Sequence, residues 1–293
     1  TRCLSDWSSD VCSSDLPLIS NPKVFLFGLT AQMGIFLTMG LAMILGFDVF
    51  EAASIGIIGA ADGPTSIYVS SRFAPHLLGP ISVAAYTYMA LVPLIQPPVI
   101  MAITTKKERM IKMPPSYKVV TQRSLIMFPI IVTMIGGVIA PASISLLGFL
   151  MFGNLLRVSG VTERLSQAAQ NELANIVTIL LGFSISATMT AEKFVNISTL
   201  AIIGMGLVAF VLDTVGGVFT AKLVNLFLPK DKKINPMIGA AGISAFPMSA
   251  RTIQKMGQKA DPSNFLLMHA VGANVAGQIG SVLAGGVLLA YLG

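Results

Sequence analysis

Two stretches of this chain carry polar chemistry inside apolar sequence. The first is Ile58-Gly59-Ala60-Ala61-Asp62-Gly63-Pro64-Thr65-Ser66, flanked by apolar residues over 50–58 and 67–69. A carboxylate at the centre of a membrane span costs at least ~2.5 kcal/mol, so Asp62 marks a functional site. Gly and Pro beside it predict a helix that breaks at membrane depth, which is tolerated only against protein or a cavity. The second stretch is Gly272-Ala273-Asn274-Val275-Ala276-Gly277-Gln278-Ile279-Gly280-Ser281. Asn274, Gln278 and Ser281 share one face of a helix. If its glycines unwind that helix, carbonyl oxygens join them. A site made of one carboxylate, amide and hydroxyl oxygens and carbonyls suits a hard cation. One carboxylate balances one monovalent charge, Na⁺ or H⁺. The bland alternatives are a structural carboxylate bonded to a neighbouring helix and ordinary interhelical hydrogen bonding.

The hydroxyls of Thr65 and Ser244 are further candidate ligands. Asp213, followed by Thr214, Gly216 and Gly217, is the other acid inside a span, either a second ion ligand or a structural group. Tyr88 could donate a proton or a hydrogen bond, although a tyrosine in a span more often packs. No phosphate-binding loop, zinc-helix motif or nucleophile elbow is visible.

The elements that position these residues follow from composition. The 293 residues are 54% hydrophobic and 11% charged, with mean hydropathy +0.79. Soluble domains carry roughly 25% charged residues, so this is an all-α, multi-pass membrane protein. Its net charge of +6 reflects basic loops between apolar runs and does not suggest nucleic acid.

Residues 1–16, TRCLSDWSSDVCSSDL, stand apart. They are polar, lack the apolar core of a signal peptide, and look like translated sequencing-adaptor read-through joined to a truncated gene. Cys3, Cys12 and Trp7 lie here. The membrane domain is taken as 17–293.

Spans are expected at about 24–46, 77–104, 124–141, 144–158, 172–189, 197–219 and 264–291. Pro93, Pro97 and Pro98 are expected to interrupt the second of them. Lys106, Lys107, Arg109, Lys112, Lys118 and Arg123 place one loop in the cytoplasm. Lys230, Lys232 and Lys233 place another there after an even number of crossings. The stretch IGAAGISAFPMSAR (238–251) matches IGAADGPTSIYVSSR (58–72). Each follows a Gly-rich span and precedes another span. A unit of span, re-entrant hairpin and span therefore occurs twice, over about 24–104 and 197–291. The charge bias inverts one copy relative to the other. Inverted repeats with broken helices point to a secondary-transporter-like site near the midplane.

The segments IGAADGPTSIYVSSRFAPHLLGPISVAAYTYMALVPLIQPP, TTKKER, GFLMFGNLLRVSGV and NFLLMHAVGANVAGQIGS resemble the β subunit of the sodium-ion-translocating decarboxylases. These are the oxaloacetate, methylmalonyl-CoA, glutaconyl-CoA and malonate decarboxylase pumps. The resemblance covers Pro17 to Gly293. It implies the C-terminal two-thirds, roughly, of a β subunit, and a piece that is expected to be inactive alone. It further implies a bacterial inner-membrane protein that decarboxylates carboxybiotin, takes up a proton and exports Na⁺. The implied partners are a biotin-carrying carboxyltransferase α subunit and a small γ subunit, in a membrane-embedded assembly expected to include further copies of this chain. Carried over by motif, Asp62 becomes the central Na⁺/H⁺ carboxylate, Tyr88 a coupling residue, and Asn274 and Ser281 Na⁺ ligands. The competing reading is a stand-alone Na⁺-coupled carrier for an organic anion.

Overall fold

The computed structural model describes residues 15–113, 120–188, 197–229, 232–245 and 247–293. Cys3, Cys12, Trp7, Lys118 and Lys230 lie outside them. All regular structure among the described residues is helical. In chain order the helices are α1 (Leu16–Ser20), α2 (Phe25–Ala31), α3 (Met33–Ile44), α4 (Val49–Gly56), α5 (Gly63–Phe73), α6 (Leu78–Ile103), α7 (Lys106–Arg109), α8 (Gln122–Ile139), α9 (Ile144–Val158), α10 (Glu163–Ala168), α11 (Ala174–Thr188), α12 (Ile197–Phe227), α13 (Met237–Ala240), α14 (Met248–Ala260) and α15 (Leu267–Leu292). Among the described residues six helical stretches are long and apolar enough to cross a membrane: Pro22–Ile44, Pro75–Ile103, Gln122–Ile139, Pro141–Val158, Ile197–Phe227 and Leu267–Leu292. The segment expected as a span at 172–189 is α11, joined to α10 by a π-helical turn at Ala169–Leu173. Its Leu180 and Phe183 are exposed, as suits a helix facing lipid.

The core is formed by α2–α3, α6, α12 and α15. The span α2–α3 packs broadly on α12 and α15, and α12 packs broadly on α6 as well. Small residues allow this closeness. A Cβ on Gly28 would lie 2.3 Å from the Ala276 carbonyl carbon, and one on Gly217 would lie 2.1 Å from the Gly239 oxygen.

Two expectations are corrected. The three prolines do not interrupt α6, which runs unbroken through Pro93, Pro97 and Pro98. Each removes one backbone hydrogen bond, but in lipid an unwound segment would strand more polar groups than the helix loses. Nor do the glycines of 272–280 unwind α15, which is continuous. They serve packing instead: a Cβ on Gly277 would meet the Gly242 oxygen at 2.1 Å.

The break expected around Asp62 is present. Helix α4 starts at a capping box made by Asp48 and Glu51 and tightens into a 3-10 turn at Ile57–Ala60. Ala61 then turns left-handed at φ 52°, and α5 begins with Asp62 as its N-cap. At the mouth of this hairpin Glu51 meets His76 at 2.8 Å and the rings of Phe50 and Phe73 lie 5.3 Å apart. Both of its ends therefore lie near the start of α6. The second broken segment is α13, a turn at 241–245 and α14. Asn235 before it and Asn264 after it both donate to the carbonyls of Arg109 and Ile111, and Lys112 pairs with Asp261 at 3.0 Å. Its ends therefore lie near the end of α6.

Candidate functional site

The two breaks meet. Ser244 N donates to the Ala60 carbonyl at 3.1 Å, which fixes the second turn against the first. Asp62 points into this junction. As an N-cap its Oδ1 accepts from Thr65 N at 3.3 Å, the role that Asp before a Gly-Pro helix start is suited to. Its Oδ2 accepts from Thr65 Oγ1 at 2.7 Å, Ser281 Oγ at 2.7 Å and Ser244 Oγ at 3.3 Å. Ser281 Oγ also lies 3.2 Å from Ser244 Oγ and 2.9 Å from the Gln278 carbonyl. A hydroxyl has one proton but two lone pairs, so these contacts compete and leave oxygen lone pairs available to a cation. Four of the candidate residues, Asp62, Thr65, Ser244 and Ser281, are thus in one cluster drawn from three elements. Ala61 gives it backbone strain of about 1–2 kcal/mol, the usual cost of a left-handed residue bearing a Cβ.

Asn274 is placed differently. It is two turns before Ser281 on α15, about 10.5 Å along the axis. Its Nδ2 donates to the carbonyls of Ala241 at 3.1 Å and Ile243 at 2.6 Å. Its Oδ1 is buried with no hydrogen-bond partner. Asn274 and Ser281 therefore bracket the turn that carries Ser244. Gln278, between them, lines a cavity of about 310 Å³ together with Asn154, Arg157, Ser166 and Gln170, and only its backbone carbonyl meets the Asp62 cluster, through Ser281.

Tyr88 does not reach Asp62. Its hydroxyl donates to the Ile203 carbonyl on α12, and its ring lies where a Cβ on Gly206 would be 2.8 Å away. Tyr86 is the tyrosine beside the carboxylate: a Cβ on Gly63 would be 2.6 Å from its Cζ. Sequence reading passed over Tyr86 because nothing separates AYTY into a site residue and a packing residue until the direction of α6 is known.

Asp213 is fully buried, its carboxylate beside the backbone amides of Gly34 and Ile35 at the start of α3 and without a side-chain partner. A Cβ on Gly34 would lie 2.3 Å from its Oδ1, and one on Gly59 would lie 2.7 Å from its Oδ2. It is wedged between α3 and the 3-10 turn that leads to Asp62. No group of three or more His, Cys, Asp or Glu among the described residues could hold a metal ion.

A second residue escaped the sequence reading. Gln32 stands at a break between α2 and α3, with its side chain buried. Its Nε2 donates to the carbonyls of Gly28 at 3.1 Å, Gly242 at 3.3 Å and Gly277 at 3.3 Å. Only its polarity within an apolar span could have signalled it.

Comparison with known proteins gives this arrangement its family. The family model described as Na⁺-transporting oxaloacetate decarboxylase beta subunit matches residues 13–292. The methylmalonyl-CoA decarboxylase subunit beta of Propionigenium modestum is 55% identical over 278 residues, covering 94% of this chain and 70% of that protein. The glutaconyl-CoA decarboxylase subunit beta of Acidaminococcus fermentans is 54% identical over 277 residues, covering 94% and 73%. The oxaloacetate decarboxylase beta chain of Klebsiella pneumoniae is 52% identical over 282 residues, covering 94% and 64%. Matched along nearly its whole length, the chain belongs to the beta-subunit family of the Na⁺-transporting decarboxylases.

Proposed function

We propose that this chain is the membrane subunit of a bacterial inner-membrane sodium pump, in which decarboxylation of carboxybiotin drives Na⁺ outward while a proton is taken up. Family membership supports the reaction class. The observation that carries the site is the convergence of Thr65, Ser244 and Ser281 hydroxyls on one Asp62 oxygen at the meeting point of two broken helices. Carboxybiotin is a substrate delivered on a biotin-carrying carboxyltransferase partner, with a small γ subunit completing the assembly. Which acid is decarboxylated is set by that partner.

An uncompensated carboxylate is expensive in a membrane, so Asp62 binds either Na⁺ or H⁺ in every state of the cycle. Loss of CO₂ from the carboxybiotin nitrogen leaves that nitrogen one proton short. A proton entering from outside and passing through Asp62 displaces Na⁺ as it goes. Thr65, Ser244 and Ser281 supply neutral oxygens to the ion and turn their hydrogens to the carboxylate when it leaves. Asn274 supplies an amide oxygen, and Asp213 is a second carboxylate able to bind a cation or proton behind the 3-10 turn.

Alternating exposure would come from an inverted repeat of two span–hairpin–span units rocking about this site. Three features support that reading. One hairpin has its ends near the start of α6 and the other near its end. The first span of each unit packs broadly on the last span of the other. The two breaks touch through Ser244 N and the Ala60 carbonyl. The test uses the full-length protein in its complex: Asp62→Asn is expected to abolish both carboxybiotin decarboxylation and Na⁺ transport. Sodium-dependent turnover in that variant would remove Asp62 from the mechanism. The stand-alone carrier reading is tested by the neighbouring reading frames, which on the pump reading encode a biotin-attachment domain and a carboxyltransferase.

A further inference from the structure

We propose that Gln32 is a sodium ligand linking the Asp62 cluster to Asn274, an assignment that rests on the Na⁺ site proposed above. The argument begins with amide orientation. Three carbonyl oxygens, those of Gly28, Gly242 and Gly277, surround the Nε2 of Gln32. Reversing the amide would set its own oxygen against all three, so the NH₂ end is fixed there and the oxygen end is left over. Oε1 is buried and has no hydrogen-bond partner, in a side chain only 3% exposed. Asn274 repeats the pattern. Its Nδ2 is held by the carbonyls of Ala241 and Ile243, and its Oδ1 is buried and unpartnered.

Both amides are therefore tied, by their donor ends, to one turn of three residues, 241–243. The next residue, Ser244, contacts Asp62. Along α15 Gln32 also lies between the two clusters. Its Cγ is where a Cβ on Gly280 would be 3.3 Å away, and its Nε2 meets the Gly277 carbonyl. Asn274 is one turn to one side, and Ser281 lies next to Gly280 on the other.

Buried carbonyl-type oxygens are ordinarily paired. Two left unpaired on side chains anchored to the turn that leads into Ser244, with their donor ends used up by backbone carbonyls, form a ligand set suited to a hard monovalent cation. Gln32 comes from the first unit, whereas the turn and α15 come from the second. A sodium ion on its oxygen would therefore hold the two units together, and the ion's departure would release that hold.

The test uses the intact decarboxylase complex in proteoliposomes, with Na⁺ as the titrated ligand. Gln32→Met keeps length and bulk but has no oxygen. It is expected to raise the Na⁺ concentration for half-maximal decarboxylation about tenfold, as loss of one interaction with a charged group does, with a smaller effect on turnover at saturating Na⁺. Gln32→Glu keeps the ligand oxygen, but its second oxygen must carry a proton to face the three carbonyls, so its half-saturating Na⁺ concentration is expected to fall with rising pH more steeply than that of the unaltered complex. Unchanged Na⁺ dependence in an assembled Gln32→Met complex would overturn the proposal and leave water or packing as the role of the side chain. If the Met variant does not assemble, the Glu variant decides: a Na⁺ dependence no more sensitive to pH than that of the unaltered complex overturns the ligand role. The underlying site reading fails separately, through Asp62→Asn retaining Na⁺ activation, a result that does not depend on Gln32.

Discussion

Ser281 Oγ donates to Asp62 Oδ2 at 2.7 Å, a contact between residues 219 positions apart. It joins the last span to the first broken hairpin, and Ser244 from the second hairpin shares the same oxygen. Removing the hydroxyl by Ser281→Ala deletes one oxygen from the proposed ion site and one donor to the carboxylate. The expected outcome is a rise of about tenfold in the half-saturating Na⁺ concentration, the size of one hydrogen bond to a charged group. The measurement is decarboxylation rate against Na⁺ in the reconstituted complex. Thr65→Val removes the other short hydroxyl contact to Oδ2 but keeps the backbone N–H that Asp62 caps, and should show the same shift. An unaltered Na⁺ curve for both variants would mean that the hydroxyls merely orient Asp62.

Close backbone approach is what brings the second turn to α15. Gly277→Ala would push a methyl group to 2.1 Å from the Gly242 carbonyl oxygen. That atom is backbone and cannot swing aside, so overpacking of about 1–3 kcal/mol or more is expected. Gly40→Ala is the control, since a Cβ there meets nothing within 4 Å, and alanine in a helix interior gains up to ~1 kcal/mol over glycine. Thermal unfolding of the purified protein in detergent should fall for the first and hold or rise for the second. Equal melting temperatures would show that the α15 contact with the 241–243 turn is looser than the structure has it.

Asp62 was legible from sequence because two signals coincide there: a charge that lipid penalises and a Gly-Pro pair that ends a helix. Ser281 was legible as part of a polar face, and Asp62 receives its hydroxyl. Gln278 shared that face on paper, but i, i+4 and i+7 spread over about 60° of a straight helix, and α15 uses the width to send Gln278 toward Asn154 and Arg157. The glycines of α15 could be read as a break or as a packing surface. Only the position of the neighbouring backbone decides for packing. Gln32 carried no local pattern at all, since its partners Gly242 and Gly277 lie 210 and 245 residues away. Helix α6 was misread because proline statistics come largely from helices in water, where an unwound segment can bond to solvent.

Tyr88 illustrates how packing and coupling can be told apart. Its hydroxyl donates to Ile203 O and its ring fills the space beside Gly206, so it fastens α6 to α12. Tyr88→Phe keeps the ring and should cost about 0.5–1.5 kcal/mol of stability, as for one intramolecular hydrogen bond. If the α6–α12 contact transmits the decarboxylation step to the ion site, the variant should also move fewer Na⁺ per CO₂ released. The check is the ratio of ²²Na⁺ transported to CO₂ formed, measured in the same vesicles. A ratio equal to that of the unaltered complex would restrict Tyr88 to packing.

The loop at the other end of α12 carries a pH-dependent contribution. Glu108 lies 3.1 Å from Lys222 and closes a capping box with Thr105 at the start of α7. Partial burial works against its ionisation, but the Thr105 amide, Lys222 and the Thr105 hydroxyl outweigh it and hold the carboxyl below its ordinary range. A carboxyl whose folded-state pKa is depressed stabilises the fold above the unfolded-state pKa and loses that contribution as pH falls through the folded-state value. The pair is partly exposed, so the contribution is no more than ~1 kcal/mol. Thermal stability should therefore be constant near neutral pH and decline below the ordinary carboxylate range. Glu108→Gln should lower the neutral plateau slightly and make that acid decline shallower, and so should Lys222→Met. Melting temperature followed from about pH 7 to about pH 3 gives the comparison. An acid limb of the same steepness in the Gln variant would mean that other carboxylates, and not this tie between α7 and α12, set the acid sensitivity.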